Sequence, residues 1–332
     1  MFKKDPVQII AFQTYGTSNR VYLRGRAIED ESINLEQKSV LKLLINAWKR
    51  FETDEVKHAE LSVSLGDDHM FYTKTDERGY FLLDEIVDDI SKYQDDEGWV
   101  RFEFSFKNKI VKRSIQSENK FSAHMLIPCK SANFGVISDI DDTILHTGIV
   151  SMFKWRVLFN TFLKSAGKRL PLEGAAAFYK LLHKGKEEHE ANPIFYVSHS
   201  PWNLYRYLDY FLKQNNFPNG PIILRKFPSV FKRKPKDEKP EKQKEIINLL
   251  KSYPDLKFIL IGDCGEHDPD IYIEIAQVFP NRILTIYLRS VKHKKKMLRV
   301  SGLFNDYKTT PVLLVETSEQ AIEHARKSGF LL

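Results

Sequence analysis

The sequence predicts two segments of different fold class: mostly β over residues 1–125 and α/β over 126–332. Three observations predict this. In the first segment, short runs rich in β-branched and aromatic residues are broken by turn residues roughly every 8–12 positions, the spacing of a sandwich. In the second, short apolar runs alternate with longer helical patterns, the mark of a mostly parallel sheet covered by helices. In the same segment, carboxylate and hydroxyl residues gather just after the apolar runs, where open α/β sheets bind ligands.

Residues 7–14 and 19–27 read as extended, and 38–48 as a short helix with Val40, Leu41, Leu43, Leu44 and Ala47 on one side. Leu61, Val63 and Leu65 alternate within a strand over 59–66. Residues 75–81 form a turn feeding a strand, with Gly79 suited to positive φ. Residues 99–106 alternate cleanly, and a strand over 110–114 follows. In the second segment, strands are expected over 135–140, 193–197, 222–224, 257–261 and 283–288. Helices are expected over 153–166, 172–182, 204–215, 242–253 and 269–279. Between 147 and 193 there is room for helices only, so no large cap domain is expected.

The 332 residues suffice for two domains. A composition 42% hydrophobic and 29% charged is that of a folded, soluble chain. No apolar run approaches the length of a membrane span, and the N-terminal apolar stretch is too short for a signal peptide. Two cysteines, Cys129 and Cys264, give no disulfide framework and fit a reducing, cytoplasmic setting. The formal net charge of +7 is unevenly spread: residues 225–244 hold nine Lys/Arg against three acids, and a second basic run covers 292–299. Such fields favour anionic partners, among them an anionic membrane surface reached peripherally. Phe227 and Phe231 lie in the first run, and Trp155 and Trp202 lie close to the segments of chemical interest.

Four elements carry the chemistry. The first apolar run of the α/β segment ends in Asp139, Asp141, Asp142 and Thr143. Carboxylates are seldom buried unless paired or bound to metal, so this end reads as the floor of a site. Asp139 and Asp141 are two apart and in an extended chain point the same way, which calls for a cation or a shared proton. The second strand ends in Ser198, His199, Ser200 and Pro201; Ser198 is suited to a phosphoryl oxygen, while Ser200 reads as a helix N-cap with Pro201 at the first helical position. A later helix brings Lys242, with Lys239 and Lys244 as alternatives, to neutralise an anion. The last element is Gly262 and Asp263 at a strand end, with Asp268 just before a helix opened by Pro269. Hard oxygen ligands of this kind suit Mg²⁺. His267 has no Cys or His partner at metal spacing and is weak evidence for zinc. Cys264 reads as a small filler.

The ordered set Asp139-Ile-Asp141-Asp-Thr143, Ser198, Lys242, Gly262-Asp263 and Asp268 resembles the signature of the haloacid dehalogenase-like phosphatases. The segments SDIDDTILHTG, YVSHSPWNLY, YPDLKFILIGDCGEHDPDIY and IYLRSV resemble more closely the phosphatidate phosphatase family typified by the fungal actin-patch protein. The distance from Lys242 to Pro254 is the family's, which favours Lys242 over Lys244; Glu241 stands where the family often has His. The resemblance covers about 130–310 and extends loosely to the N-terminal segment. It implies a Rossmannoid parallel sheet of the dehalogenase-like type and a Mg²⁺-dependent phosphomonoester hydrolase. It implies Asp139 as nucleophile, Asp141 as acid and base, and Thr143, Ser198 and Lys242 around the phosphoryl group. Asp139, Asp141 (through its carbonyl), Asp263 and Asp268 would hold the metal. The implied substrate is phosphatidate or a related lipid monoester, with a soluble phosphomonoester as the alternative. A non-catalytic membrane or nucleic-acid binding protein would not gather these acids, and no nucleic-acid partner is expected.

Overall fold

A computed structural model describes residues 6–29, 55–107, 114–141, 143–144, 173–225, 239–264, 267–290, 299–300, 302–303 and 309–332. The chain divides into two compact units, Met1–Pro128 and Cys129–Leu332. The helices expected over 38–48 and 153–166 lie outside the described residues, as do most of the strand expected over 110–114 and most of both basic runs. Residues 145–172, where the absence of a large cap would be read, also lie outside them.

In the first unit, β1 (Val7–Ala11), β3 (Arg20–Glu29) and β6 (Tyr80–Ile86) form an antiparallel sheet ordered β1-β3-β6. A five-stranded sheet contains β2 (Thr14–Tyr15), β4 (Glu60–Leu65), β5 (His69–Lys74), β7 (Trp99–Phe106) and β8 (Phe121–Leu126), ordered β2-β8-β7-β4-β5. Inward residues alternate as a pleated strand requires: Val21 and Leu23, Leu61 and Val63, Phe102 and Phe104 are all buried in one core cluster. The extended run over 7–14 proves to be two strands, because the chain leaves one sheet at Ala11 and enters the other at Thr14. Gly79 takes φ +73° beside the backbone carbonyl of Ala27, where no side chain fits. β2 pairs with β8 in parallel, whereas the other pairs of this sheet are antiparallel. The unit is therefore mixed, curled β, not the clear sandwich that turn spacing predicts. Turn spacing sets strand length but not which strands pair.

The second unit carries a six-stranded, all-parallel sheet of β9 (Gly135–Ser138), β10 (Ile194–Pro201), β11 (Ile222–Arg225), β12 (Phe258–Asp263), β13 (Ile283–Arg289) and β14 (Val312–Val315). Its order is β11-β10-β9-β12-β13-β14. The central strands are buried along their whole length, from Gly135 to Ser138 and from Phe258 to Asp263, as expected where helices cover both faces. The unit's longer helices among the described residues are α1 (Ala175–Lys184), α2 (Tyr205–Gln214), α3 (Glu241–Ser252), α4 (Asp268–Val278) and α5 (Ser318–Lys327). From β9 the chain builds outward through β10 and β11, then returns to the other side of β9 with β12, β13 and β14. The order thus reverses between β9 and β12, the kind of crevice where doubly wound sheets bind ligands.

Candidate active site

Asp139 follows the last residue of β9, and its amide donates to the Ile261 carbonyl of β12 at 2.9 Å. That bond holds the carboxylate at the reversal point, where it is 1% exposed. Its Oδ1 accepts from Lys242 Nζ at 2.6 Å and its Oδ2 from Thr143 Oγ1 at 3.3 Å. Lys242 Nζ also donates to Asp268 Oδ1 at 2.5 Å. Of the three lysines left open by spacing, Lys242 is the buried one; Lys239 pairs with Glu274 and Lys244 with Glu241, both partly exposed. Lys242 sits in the first turn of α3, where the helix dipole opposes a cation, so the two carboxylates must hold it there. Asp268 opens α4, where the same dipole favours an anion.

Asp139, Asp263 and Asp268 are all buried, and one carboxylate oxygen from each lies within 4.8 Å of the others. Octahedral Mg²⁺ ligands stand roughly 2.0–2.1 Å from the ion, hence about 3–4 Å from one another, so a small contraction would suffice. The charges agree: three buried carboxylates face one ammonium, and a divalent cation would neutralise the excess. Asp268 Oδ2 has no hydrogen-bond partner among the described residues, an orphaned acceptor that a cation or its water would satisfy. Burial pushes the Asp139 carboxyl well above the usual carboxylate range; Lys242 opposes the shift, and Asp268, Asp141 and Asp263 add to it. Burial works against charge on Lys242, but Asp139 and Asp268 outweigh it and hold the ammonium well above the ordinary lysine range.

The Asp141 side chain is outside the three-carboxylate group. Its Oδ2 accepts from Ser198 Oγ at 2.6 Å and from Ser200 Oγ at 3.1 Å. This corrects the reading of Ser200 as a helix cap. β10 runs on through Ser200 to Pro201, no side chain caps the turn that follows, and the Ser200 hydroxyl goes to Asp141. Ser198 and Ser200 are two apart on an extended strand and so face the same way. His199 lies between them with Nε2 buried and without a hydrogen bond among the described residues; burial, then the nearby Lys242 charge, lowers its pKa to about 4. Burial also pushes the Cys264 thiol up to about 12, which disfavours its thiolate. Asp142 and Trp155 lie outside the described residues, and Trp202 is buried.

Two features escape sequence reasoning. A Cβ at Gly262 would lie 2.5 Å from Asp268 Oδ2 and 2.8 Å from the Tyr272 ring. The glycine before Asp263 therefore makes room for Asp268, and the Gly-Asp pair was its only sequence signal. The second is Tyr272, whose hydroxyl donates to the Ile261 carbonyl at 2.9 Å while its ring centroid lies 5.9 Å from Lys242 Nζ.

This carboxylate–lysine arrangement at a parallel-sheet reversal can be compared with known proteins. Residues 134–290 match the family described as Phosphatidate phosphatase APP1, catalytic domain. The matched stretch runs from the start of β9 to the end of β13 and includes every site residue described above. The chain is 33% identical over 229 residues to Phosphatidate phosphatase APP1 of Saccharomyces cerevisiae, covering 68% of this chain and 35% of that protein. It is 28% identical over 273 residues to Uncharacterized protein C29B5.04c of Schizosaccharomyces pombe, covering 81% of this chain and 41% of that protein. The chain thus spans well under half the length of either relative. Among solved structures, Bacteroides thetaiotamicron EndoBT-3987 with Man5GlcNAc product aligns over 83% of this chain and 74% of its own, with TM-score 0.23 and 8% identity, a likeness too low to carry any argument. No helix among the described residues is long and apolar enough to cross a membrane.

Proposed function

We propose that this chain is a Mg²⁺-dependent phosphatase of the haloacid dehalogenase-like kind, acting through an aspartyl-phosphate on phosphatidate or a related lipid phosphomonoester. The observation that carries the reading is the convergence of three buried carboxylates and one buried lysine beside Asp141 at the reversal point of a parallel sheet. A buried group of this charge suits a dianionic phosphate ester only with a cation present. When bound by Asp139, Asp263 and Asp268, with the Asp141 carbonyl, that cation would supply charge screening between carboxylate nucleophile and phosphate.

In the first step an Asp139 carboxylate oxygen attacks phosphorus and the bond to the leaving oxygen breaks, dividing one difficult transfer into two. Asp141 gives the leaving alkoxide its proton, with Ser198 and Ser200 orienting the carboxyl. In the second step Asp141 takes a proton from water as that water attacks phosphorus, and phosphate departs from Asp139. Lys242 and Thr143, already on the two oxygens of Asp139, orient that carboxylate and neutralise charge on the phosphoryl group.

The lipid substrate is supported by the family match and by the yeast relative, a phosphatidate phosphatase by name. The basic runs over 225–244 and 292–299 support peripheral docking of a cytoplasmic enzyme on an anionic membrane. The test is phosphate release from phosphatidate in mixed micelles against small sugar and nucleotide phosphates, with and without Mg²⁺. Phosphatidate is expected to turn over fastest, and Asp139→Asn to reduce release to background. Near wild-type turnover by Asp139→Asn would sink the mechanism; preference for a soluble ester would replace the substrate but keep the chemistry.

A further inference from the structure

Ser138 ends β9 at the centre of the sheet, fully buried, directly before the acid read as nucleophile. A hydroxyl there is costly unless bonded. Its Oγ donates to the backbone carbonyl of Asp139 at 2.7 Å. Ser138 Oγ also lies 2.5 Å from the hydroxyl of Tyr179, a fully buried residue of α1. A serine hydroxyl carries one hydrogen, and the Asp139 carbonyl takes it, so Tyr179 is the donor in the second bond. The chain runs in one direction, from Tyr179 to Ser138 to the Asp139 carbonyl. That carbonyl is the first beyond the end of β9, and Ser138 Oγ supplies it with a donor. The tyrosine ring is stacked on Tyr196, with centroids 6.3 Å apart, and meets Phe217 edge-on, so its hydroxyl is held in place. Burial raises the Tyr179 phenol well above its ordinary range, which keeps it a donor at any working pH.

We propose that Tyr179 and Ser138 are positioning residues for the nucleophile: their hydroxyl chain fixes the Asp139–Ile140 peptide plane and so the aim of the Asp139 carboxylate between Lys242 and Thr143. The inference rests on the reading of Asp139 as nucleophile, and neither residue touches substrate. Through this chain α1 supports the reacting group although it contributes no side chain to the carboxylate cluster.

The test compares Tyr179→Phe, Ser138→Ala and the double variant in the full chain. The expected result is a fall in kcat of about tenfold for each single variant with KM within twofold, because aim is lost and binding is kept. The double variant should lose no more than the worse single one, since a chain acts as a unit. A folded Tyr179→Phe protein with unchanged kcat, or losses that multiply, overturns the proposal. A second readout does not need activity: the ¹³C carbonyl resonance of Asp139, one of three selected by labelling Asp carbonyls and Ile amides (with Asp89 and Asp270) and assigned by its loss in Ile140→Val. Both single variants should shift it upfield, as for a weakened acceptor, and an unmoved resonance in either overturns the proposal. If the wild-type chain hydrolyses no phosphomonoester while the resonance shifts as expected, the phosphatase reading fails and the hydroxyl chain stands as a support for the Asp139 backbone.

Discussion

Gly262→Ala adds one methyl group at the position where the site has least room. Its Cβ would stand 2.5 Å from Asp268 Oδ2, 2.8 Å from Tyr272 Cε2 and 3.0 Å from Asp268 Cβ, where ordinary contact begins at 3.4 Å. The Asp268 oxygen must therefore retreat by roughly 0.9 Å, the shortfall from ordinary contact. Side-chain rotation alone does not relieve this, because Asp268 Cβ and the Tyr272 ring are crowded too. Asp268 and Tyr272 are four apart on α4 and share one face, so the helix end has to move as a body. That movement strains the Lys242–Asp268 pair and the Tyr272 bond to Ile261. Overpacking of this kind costs about 1–3 kcal/mol. A displacement near 1 Å in a reacting group costs on the order of 10²-fold in rate. Urea unfolding and phosphate release at saturating Mg²⁺ measure the two effects. Gly302→Ala is the control, as its added methyl meets nothing within 4 Å among the described residues and should not lower stability. A Gly262→Ala protein within about 0.5 kcal/mol of wild type and with unchanged kcat would refute the steric account.

Two further substitutions probe the same region. Lys242→Met leaves Asp139 and Asp268 without their shared ammonium and is expected to cost about 3–5 kcal/mol in urea unfolding with chelator, part of it recovered by Mg²⁺; a loss equal in chelator and in Mg²⁺ would separate the lysine from the metal. His199 has its folded pKa lowered from 6.5 to about 4, so the unfolded chain binds more protons between those values. Stability from this residue is thus complete above about pH 6.5 and lost as pH falls toward 4, by on the order of 3 kcal/mol. His199→Gln should flatten that limb in unfolding curves taken from pH 4.5 to 7, and an unchanged slope would contradict it.

The α/β segment was legible in the sequence because a sheet buried on both faces needs unbroken apolar runs. The runs at Val136, Ile194, Phe258 and Ile283 are all strands of the parallel sheet. Edge elements were harder to read. β14 is half-exposed, β5 turns the apolar Met70 and Tyr72 outward, and α5 buries only Ala321, Ala325 and Ser318, so none imposes a strong apolar period. β10 outran its expected end because Ser198 and Ser200 have a partner on a neighbouring strand end, which overrides their preference for capping a helix. In the first unit local pattern located several strands but not the switch from one sheet to the other at 11–14, since pairing is a long-range choice.

By itself the sequence determined the residue types of the site: carboxylates after apolar strands, a hydroxyl after the next strand, a lysine on a later helix. Those follow from local chemistry, because acids at a buried strand end require a cation or a partner. Only the tertiary structure decided which groups meet. Strand order and register bring Asp139 to Lys242, Asp263 and Asp268, which lie more than a hundred residues further along the chain, and turn the Asp141 side chain toward Ser198 and Ser200. They also give Gly262 its reason and join Tyr179 to Ser138. The physical cause is that distance between side chains is a property of packing, and packing is settled by the whole core rather than by any one segment.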